Sequence, residues 1–412
     1  MTISTFDTDA LAVASTISEA LAKPGMDPTQ PPRDQRTLSQ SLAGGAAGMA
    51  LLHITRAHTG HGDPATADTW LRLAAAGPVS AADNANLFFG APTLAYLLHI
   101  ASERTPAYQG ALAKLDDAVV AITTRRLTDA HRRIDNGEAL LMREFDLIHG
   151  LVGLGVHLLR RHPDHDVTRD VLAYLVRLTE PKGGTAGLPS WWMPTGPSGQ
   201  SDQDFPDGHG NFGLSHGIAG VLALLSLSVI RGAAVPGVVD AIGRICAWTD
   251  QWLQCSDGAA WWPGLITLDQ HHIRRIDPIL RPRPSWCYGI AGAARAQQLA
   301  GLALRDARRQ ELAEEAILAV FKDPDQLDRL DGPGLCHGTA GLLQSAWRIA
   351  ADALTPSNIH AELPQLTRHL IEQLARSDTE PELMDGTAGA ALTLHSVATG
   401  VVPDWDAFLL LS

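Results

Sequence analysis

Two kinds of helical segment alternate along most of the chain. Residues 48–53 and 220–225 are rich in alanine and leucine and nearly free of charge, which predicts buried helices. Residues 307–318 instead mix charged and apolar positions at a spacing near 3.6, which is typical of an amphipathic helix with one wet face. The alternation predicts an all-α fold whose unit is a hairpin of one buried and one surface helix.

A short glycine motif precedes each buried segment. The first glycines of successive copies are 45, 60, 67, 72, 49 and 48 residues apart, so the repeat unit is enlarged in three central connections. Six copies and one degenerate copy occur: Gly45-Ala-Ala-Gly48, Gly90-Ala-Pro-Thr93, Gly150-Leu-Val-Gly153, Gly217-Ile-Ala-Gly220, Gly289-Ile-Ala-Gly292, Gly338-Thr-Ala-Gly341 and Gly386-Thr-Ala-Gly389. Seven repeated helical hairpins form either an open solenoid or a closed ring.

Two segments interrupt the helical pattern. The segment near 186–213 is rich in glycine, proline and aspartate, and the segment near 257–285 contains several prolines. Neither composition suits a helix. A β-like run at 265–268 predicts short strands within these ordered loops, inserted in a single domain of residues 1–412. Loops of this length are often functional. Their tryptophans suit either packing or a wall that holds a peptide: Trp191, Trp192, Trp261 and Trp262.

Composition narrows the class of protein. Apolar residues make up 45% of the 412 residues and charged residues 19%, which is typical of a globular protein. The net charge of −13 argues against a nucleic-acid partner. The first 24 residues lack the pattern of a signal peptide, and the most apolar run, residues 221–230, is too short to span a bilayer. We therefore expect a cytoplasmic protein, in which cysteines are free rather than bridged.

Chemically active residues stand immediately before the first glycine of several motifs. The two preceding residues are, in order, Ala43-Gly44, Phe88-Phe89, Ile148-His149, Ser215-His216, Cys287-Tyr288, Cys336-His337 and Met384-Asp385. A closed ring of repeats places equivalent positions at one level. We therefore expect Cys287, Cys336, His337 and His216 to converge there, with His149 and Asp385 near them.

Two cysteines and a histidine form a donor set that suits zinc, which favours thiolate and imidazole ligands in tetrahedral geometry. Three protein ligands leave a fourth position for water or substrate, which is typical of a catalytic site. A helix start beside each thiolate would favour its ionised form. Taken singly, each of these cysteines and histidines could equally well be an inert packing residue as a metal ligand. Cys246 and Cys255, in a predicted outer helix, suit such a structural role, and the adjacent histidines at 271 and 272 are expected to be solvated.

The motifs Ser285-Trp-Cys-Tyr-Gly289, Leu335-Cys-His-Gly338 and Leu214-Ser-His-Gly217, in order within the repeats, closely resemble the lanthionine synthetase C-like (LanC-like) family. The resemblance implies an α/α toroid, a double-layered α-barrel, with Zn2+ at one end of the central cavity. It implies that Cys287, Cys336 and His337 are the metal ligands. It also implies that His216 is the acid that protonates or stabilises the enolate formed in the reaction, and that Asp146, Arg283 and Tyr288 belong to the active site.

The resemblance implies a zinc-dependent lanthipeptide cyclase. Such an enzyme adds cysteine thiols of a precursor peptide to dehydroalanine or dehydrobutyrine and closes thioether rings. The implied partners are the dehydrated precursor peptide, with leader and core, a lanthipeptide dehydratase and a transporter, with membrane association through that complex. One alternative is the addition of glutathione to dehydrated residues in proteins. A second is a non-catalytic peptide-binding toroid, and a toroid glycosidase would need paired acidic residues instead of thiolates.

Overall fold

Helices make up most of the structure, a computed structural model that describes residues 5–24, 38–181, 187–256, 258–330, 332–376, 379–401 and 404–412. The helices in chain order are α1 (Thr5–Ala20), α2 (Ala46–His58), α3 (Pro64–Ala74), α4 (Ala91–Ser102), α5 (Gln109–Asp135), α6 (Met142–Phe145), α7 (Leu151–Arg161), α8 (Asp166–Leu178), α9 (Ile218–Ile230), α10 (Val238–Asp250), α11 (Leu268–Ile273), α12 (Ile290–Leu304), α13 (Ala307–Phe321), α14 (Pro324–Leu327), α15 (Thr339–Asp352), α16 (Pro356–His360), α17 (Leu363–Arg376) and α18 (Thr387–Thr399). No helix in this described part of the chain combines the length and apolar character needed to cross a membrane.

Seven helices form a closed inner ring, and each starts one residue after the first glycine of a motif. Around the ring, α2, α4, α7, α9, α12, α15 and α18 each contact the next, and α18 contacts α2. An outer layer packs on them as α3 on α2, α5 on α4, α8 on α7, α10 on α9, α13 on α12 and α17 on α15. The predicted α/α toroid is thereby confirmed, and the seventh inner helix, α18, takes its outer partner from the start of the chain, α1.

The second glycine of each motif lets a loop pack tightly against the inner helix. A Cβ at Gly341 would lie 1.9 Å from the carbonyl oxygen of Leu335, six residues earlier. The same clash recurs at the other five second glycines. In the degenerate repeat, Thr93 takes this position, and its hydroxyl donates a hydrogen bond of 2.8 Å to the equivalent carbonyl of Leu87. The glycines therefore hold the loops that precede the inner helices close to the ring.

Residues 405–411, which we term the plug segment, fill the middle of the ring. All seven are buried. Their backbone carbonyls accept hydrogen bonds from Tyr96 on α4, from Arg295 on α12 and from Trp286 in the loop before α12, while the indole of Trp405 donates to Ser396 on α18. The plug segment therefore joins helices from different parts of the ring.

Short strands lie in the two inserted loops, as the sequence predicts, and one more strand, β2, lies just before the second loop. The strands are β1 (His209–Asn211), β2 (Gln254–Ser256), β3 (Ala259–Trp261) and β4 (Leu265–Thr267). Strand β1 of the first insertion pairs antiparallel with β4 of the second, with Gly210 opposite Ile266, and β2 pairs with β3. Positions 186 and 257 of the predicted insertions lie outside the described residues.

Candidate metal centre and active site

The loops that precede the seven inner helices meet around one cavity of about 350 Å³. Every repeat contributes to its lining, through Ala43, Phe88 and Phe89, Ile148 and His149, Ser215 and His216, Cys287 and Tyr288, Cys336, and Met384 and Asp385. Backbone hydrogen bonds hold neighbouring loops in register, and that from Cys287 N to the Cys336 carbonyl is 3.2 Å long. The predicted convergence of the residues before each glycine is therefore found in the structure.

Cys287, Cys336 and His337 form a compact donor cluster at this cavity. Their ligand atoms all lie within 4.8 Å of one another, Cys287 being buried and the other two half-buried. The neighbouring Cys336 thiol lowers the pKa of Cys287 most, burial opposes this effect, and His337 and Ser285 lower that pKa further. The thiolate form of Cys287 is consequently favoured at neutral pH, which is the form that binds a metal.

The donor cluster fits zinc. Two sulfurs and one imidazole are donors that zinc prefers, and their separations are compatible with ligands on one tetrahedral ion. Helices α12 and α15 begin within three residues of the cysteines, so their N-terminal dipoles favour negative charge there. His337 Nδ1 lies 3.5 Å from Asp385 Oδ1, an arrangement in which a carboxylate orients a histidine ligand.

A hydrogen-bonded pair, Asp146 and His216, lies on the same cavity. Asp146 Oδ2 is 2.6 Å from His216 Nδ1, while Oδ1 accepts a 2.7 Å hydrogen bond from the backbone N–H of His149. Burial alone would raise the pKa of Asp146, but its hydrogen bonds with the two histidines outweigh burial and lower that pKa. An ionised Asp146 holds the Nδ1 proton of His216 and leaves Nε2 as the nitrogen free for chemistry in the cavity.

His149 shares the carboxylate of Asp146. Its Nδ1 lies 3.4 Å from the same Oδ2, and its ring stacks on that of His216 with centroids 5.7 Å apart. The ligand atoms of Asp146, His149 and His216 also lie within 4.8 Å of one another. A separation of 2.6 Å between Asp146 and His216 suits a direct hydrogen bond, because two ligands of one zinc ion stand farther apart. We therefore interpret this second cluster as a hydrogen-bonding group.

Tyr288 lies beside His216, with ring centroids 6.4 Å apart. Burial raises the pKa of Tyr288 to about 12, and a hydrogen bond with Asn211 opposes the shift, so the phenol keeps its proton at neutral pH. Gly213 allows this placement, because a Cβ there would stand 2.7 Å from the tyrosine ring. Arg283 lines a depression together with Cys287, a member of the donor cluster, and Tyr288.

The structure decides one alternative that the sequence left open, packing for three tryptophans of the insertions, and contradicts two expectations, those for the helix at Cys255 and for His271. The side chains of Trp191, Trp261 and Trp262 are buried in the core, so these three do not form an exposed wall for a peptide. The predicted outer helix 245–255 ends at Asp250, which leaves Cys255 on an exposed strand. His271 is buried on α11, where its ring contacts Trp192 and Trp252 instead of solvent.

Two residues that support the site escaped prediction from the sequence. Asn211 lies on β1, donates toward Tyr288 and accepts from the backbone of Gly213 at 3.0 Å. Arg126 on α5 donates to the carbonyls of Asp83, Ala85 and His149. Neither stands next to a glycine motif, so the repeat gives no signal for them; Asn211 lies in an insertion in which the sequence placed no strand at this residue.

Comparison with known proteins identifies relatives of this chain. The family model described as Lanthionine synthetase C-like protein matches residues 36–410. The nisin biosynthesis protein NisC of Lactococcus lactis subsp. lactis is 26% identical over 213 residues, which are 51% of this chain and about half, 50%, of that relative. A solved structure described as nisin cyclase superposes with a TM-score of 0.77 at 19% identity, covering 98% of this chain and 97% of the other, which shows a shared fold.

Proposed function

The chain belongs to the lanthionine synthetase C-like family, and we propose that it is a zinc-dependent lanthipeptide cyclase. The observation that carries the proposal is the placement of two thiols and an imidazole on one cavity with the Asp146–His216 pair. The reaction is the addition of a peptide cysteine to dehydroalanine or dehydrobutyrine. The thiol releases its proton to water, a sulfur–Cβ bond forms as the π electrons of the alkene move toward the carbonyl to give an enolate, and a proton is then added at Cα.

Each residue of the site has a distinct role in this proposal. Cys287, Cys336 and His337 would hold zinc, which would supply a Lewis acid that keeps the substrate thiol deprotonated. His216 delivers a proton from Nε2 to Cα, while Asp146 fixes the other ring nitrogen and stabilises the cationic ring. The half-buried, protonated Tyr288 and the guanidinium of Arg283 act as hydrogen-bond donors toward the enolate oxygen.

The proposed substrate is a dehydrated precursor peptide with leader and core. The proposed setting is the cytoplasm, in a complex with a dehydratase and a transporter that brings the chain to the membrane. The nearest rival is the addition of glutathione to dehydrated residues of proteins, which needs the same site. A non-catalytic toroid needs neither His216 nor Asp146 at the cavity, so their hydrogen-bonded placement favours an enzyme.

The test is ring formation by the purified, zinc-loaded chain on a synthetic peptide that contains one cysteine and one dehydroalanine. Cyclisation leaves the peptide mass unchanged, so the measurement is the loss of thiols that react with N-ethylmaleimide, with the thioether placed by tandem mass spectrometry. We expect thiol loss well above the spontaneous rate in buffer. Glutathione adducts on a cysteine-free version of the peptide, without cyclisation of the original, would assign the rival activity. Peptide binding with neither product would assign the non-catalytic role.

A further inference from the structure

Helix α5 differs from the other outer helices in length and charge. It has 27 residues, whereas the other six have 11 to 16. Its last three turns carry arginines at positions 125, 126, 132 and 133, a spacing that places all four on one side of the helix. Because outer helices run back toward the starts of the inner helices, this arginine face lies at the same end of the toroid as the candidate active site.

The arginine face lines a groove of about 390 Å³, which we term the arginine groove. Its positively charged lining residues are Arg125, Arg126, Arg132, Arg133 and Arg143, and its negatively charged ones are Asp83, Asp129 and Glu144. Glu138, outside the lining, also pairs with Arg133 at 3.0 Å, so five cations against four carboxylates leave a surplus of one positive charge. This surplus stands out in a chain whose net charge is −13.

Ion pairs inside the groove account for three of the arginines. Arg125 lies 3.3 Å from Asp83, and Arg132 and Arg133 pair with Asp129 and Glu144 at 2.8 and 2.5 Å. Arg126 donates to backbone carbonyls instead of carboxylates. In the described part of the chain no ion pair involves Arg143, whose side chain is exposed. Arg143 is therefore accessible to a ligand, whereas Arg126 is half-buried and engaged by carbonyl groups.

The arginine groove continues directly into the catalytic cavity. Asn86 and His149 line both. Because the His149 ring stacks on His216, a peptide whose dehydrated residue lies at His216 would pass His149 and extend along α5. The tryptophans of the insertions offer no competing exposed wall, since three of the four are buried.

We infer that the arginine groove binds a carboxylate-rich segment of the peptide whose core occupies the cavity. The inference rests on the proposed function for the identity of the ligand. Guanidinium groups pair with carboxylates through parallel hydrogen bonds, so Arg143 supplies recognition that depends on charge and geometry. Arg132 joins it by exchanging its exposed pair with Asp129 for a carboxylate of the peptide. The groove then contributes to substrate affinity and leaves the chemical step at His216 unchanged.

The experiment compares two fluorescent synthetic peptides that share a core with one cysteine and one dehydroalanine. One carries a flanking segment of alternating aspartate and serine, and its twin has asparagine in place of aspartate. Binding to the zinc-loaded chain is measured by anisotropy at low and high salt. We expect the acidic peptide to bind more tightly at low salt, with the advantage lost at high salt. The double variant Arg132→Gln/Arg143→Gln should weaken binding of the acidic peptide roughly two- to thirtyfold and leave the neutral twin unaffected.

A matched double variant, Arg308→Gln/Arg368→Gln, removes the same charge from exposed positions on α13 and α17 and should bind both peptides as the wild type does. Equal binding of the two peptides by the wild type, or an equal loss in the matched variant, would overturn the inference. So would displacement of the acidic peptide by equimolar inorganic phosphate. Thiol loss is recorded separately, so a chain that prefers the acidic peptide but closes no ring would contradict the cyclase and retain the groove.

Discussion

Cys336 has two roles: its sulfur belongs to the donor cluster, and its backbone joins neighbouring loops of the ring. Its N–H donates to the Met384 carbonyl at 2.8 Å and its carbonyl accepts from Cys287. We predict that Cys336→Ser keeps the backbone links but reduces zinc from one per chain to a small fraction, because serine is a poor ligand for zinc. Metal analysis after dialysis measures this. Cys255→Ser, at an exposed cysteine outside the site, should retain full zinc; equal zinc in the two variants would contradict the assignment.

The Asp146–His216 pair should be separable from metal binding. We predict that His216→Ala retains zinc but slows ring closure by about 10²- to 10⁴-fold, the usual contribution of a general acid. Asp146→Asn should also slow it, because an amide can present its N–H₂ group to Nδ1 and stabilise the wrong tautomer. Thiol consumption and zinc content are measured on the same samples. Loss of zinc in His216→Ala would instead make this histidine a ligand.

The residues of the site differ in how far the sequence predicts them. Cys287, Cys336 and His216 follow from the repeat, because equivalent positions of a closed ring meet whatever the loops between them contain. The position of Asp385 beside His337 is predicted from the repeat in the same way. Asn211 comes from an insertion whose strand pairing joins residues more than fifty positions apart, and no local pattern encodes such a partner.

At the scale of single elements, the tight loop before each inner helix depends on the second glycine. We predict that Gly341→Ala destabilises the chain by about 1–3 kcal/mol, because its Cβ meets the Leu335 carbonyl in backbone that cannot move freely. The same loop contains Cys336 and His337, so zinc affinity should fall as well. Urea unfolding and metal analysis test both effects.

Gly243 in α10 provides the matched control, because a Cβ there meets nothing within 4 Å. Gly243→Ala should stabilise the chain by about 0.5–1 kcal/mol through helix propensity and leave zinc binding unchanged. Equal behaviour of the two glycine variants would mean that close packing of the loop is not what the motif provides.

Element boundaries were predicted well where periodicity was strong and poorly where tertiary contacts decide. Helix α13 begins at Ala307 as the charge pattern indicates, with Asp306 as its N-cap. The apolar stretch around Cys246 does not continue as helix to Cys255, because residues from 254 onward pair as a hairpin with β3. Tryptophans in the insertions are apolar enough to enter the core, and burial against Trp248 decides the position of Trp191.

At the scale of the whole molecule, one joint of the ring, meaning the connection between the loops of two neighbouring repeats, is made by a side chain. Backbone hydrogen bonds link the loops at Leu42 and Phe88 and at Leu147 and Ser215, and they continue through the remaining repeats back to Ala43. Among the described residues no such bond joins the loop of Phe88 to that of His149. Arg126 bridges this joint by donating to carbonyls on both sides, which compensates for the degenerate second repeat.

We predict that Arg126→Ala destabilises the chain by about 1–3 kcal/mol, because hydrogen bonds from one charged donor to three carbonyls, that to Ala85 being part-buried, are lost together. Arg125→Ala removes the adjacent, exposed arginine and should change stability by no more than about 0.5 kcal/mol. Urea unfolding of both variants makes the comparison. A similar cost for the two would show that Arg126 does not close the ring.

The plug segment provides the last prediction, because one buried ion pair fastens it to the ring. Asp406 accepts hydrogen bonds of 2.6 Å from two guanidinium nitrogens of Arg348 and one of 2.7 Å from Gln344. Burial raises the pKa of Asp406, but Arg348 and Gln344 outweigh burial and lower it below its ordinary value. A lowered pKa in the folded state means that this carboxylate stabilises the fold above its unfolded pKa of about 3.9 and loses that contribution as the pH falls further.

Asp406→Asn should therefore cost about 3–5 kcal/mol at pH 7, because Arg348 is left without its buried partner. The gap in free energy of unfolding between wild type and variant should narrow as the pH is lowered from about 5 to 3, since protonation of Asp406 removes the same charge from the wild type. Urea midpoints across this range measure the gap. Glu372→Gln breaks an exposed pair with Arg376 and should cost at most about 0.5 kcal/mol throughout. A gap for Asp406→Asn that stays constant with pH would show that the carboxylate's charge does not fasten the plug segment, leaving its apolar burial and backbone hydrogen bonds as the cause.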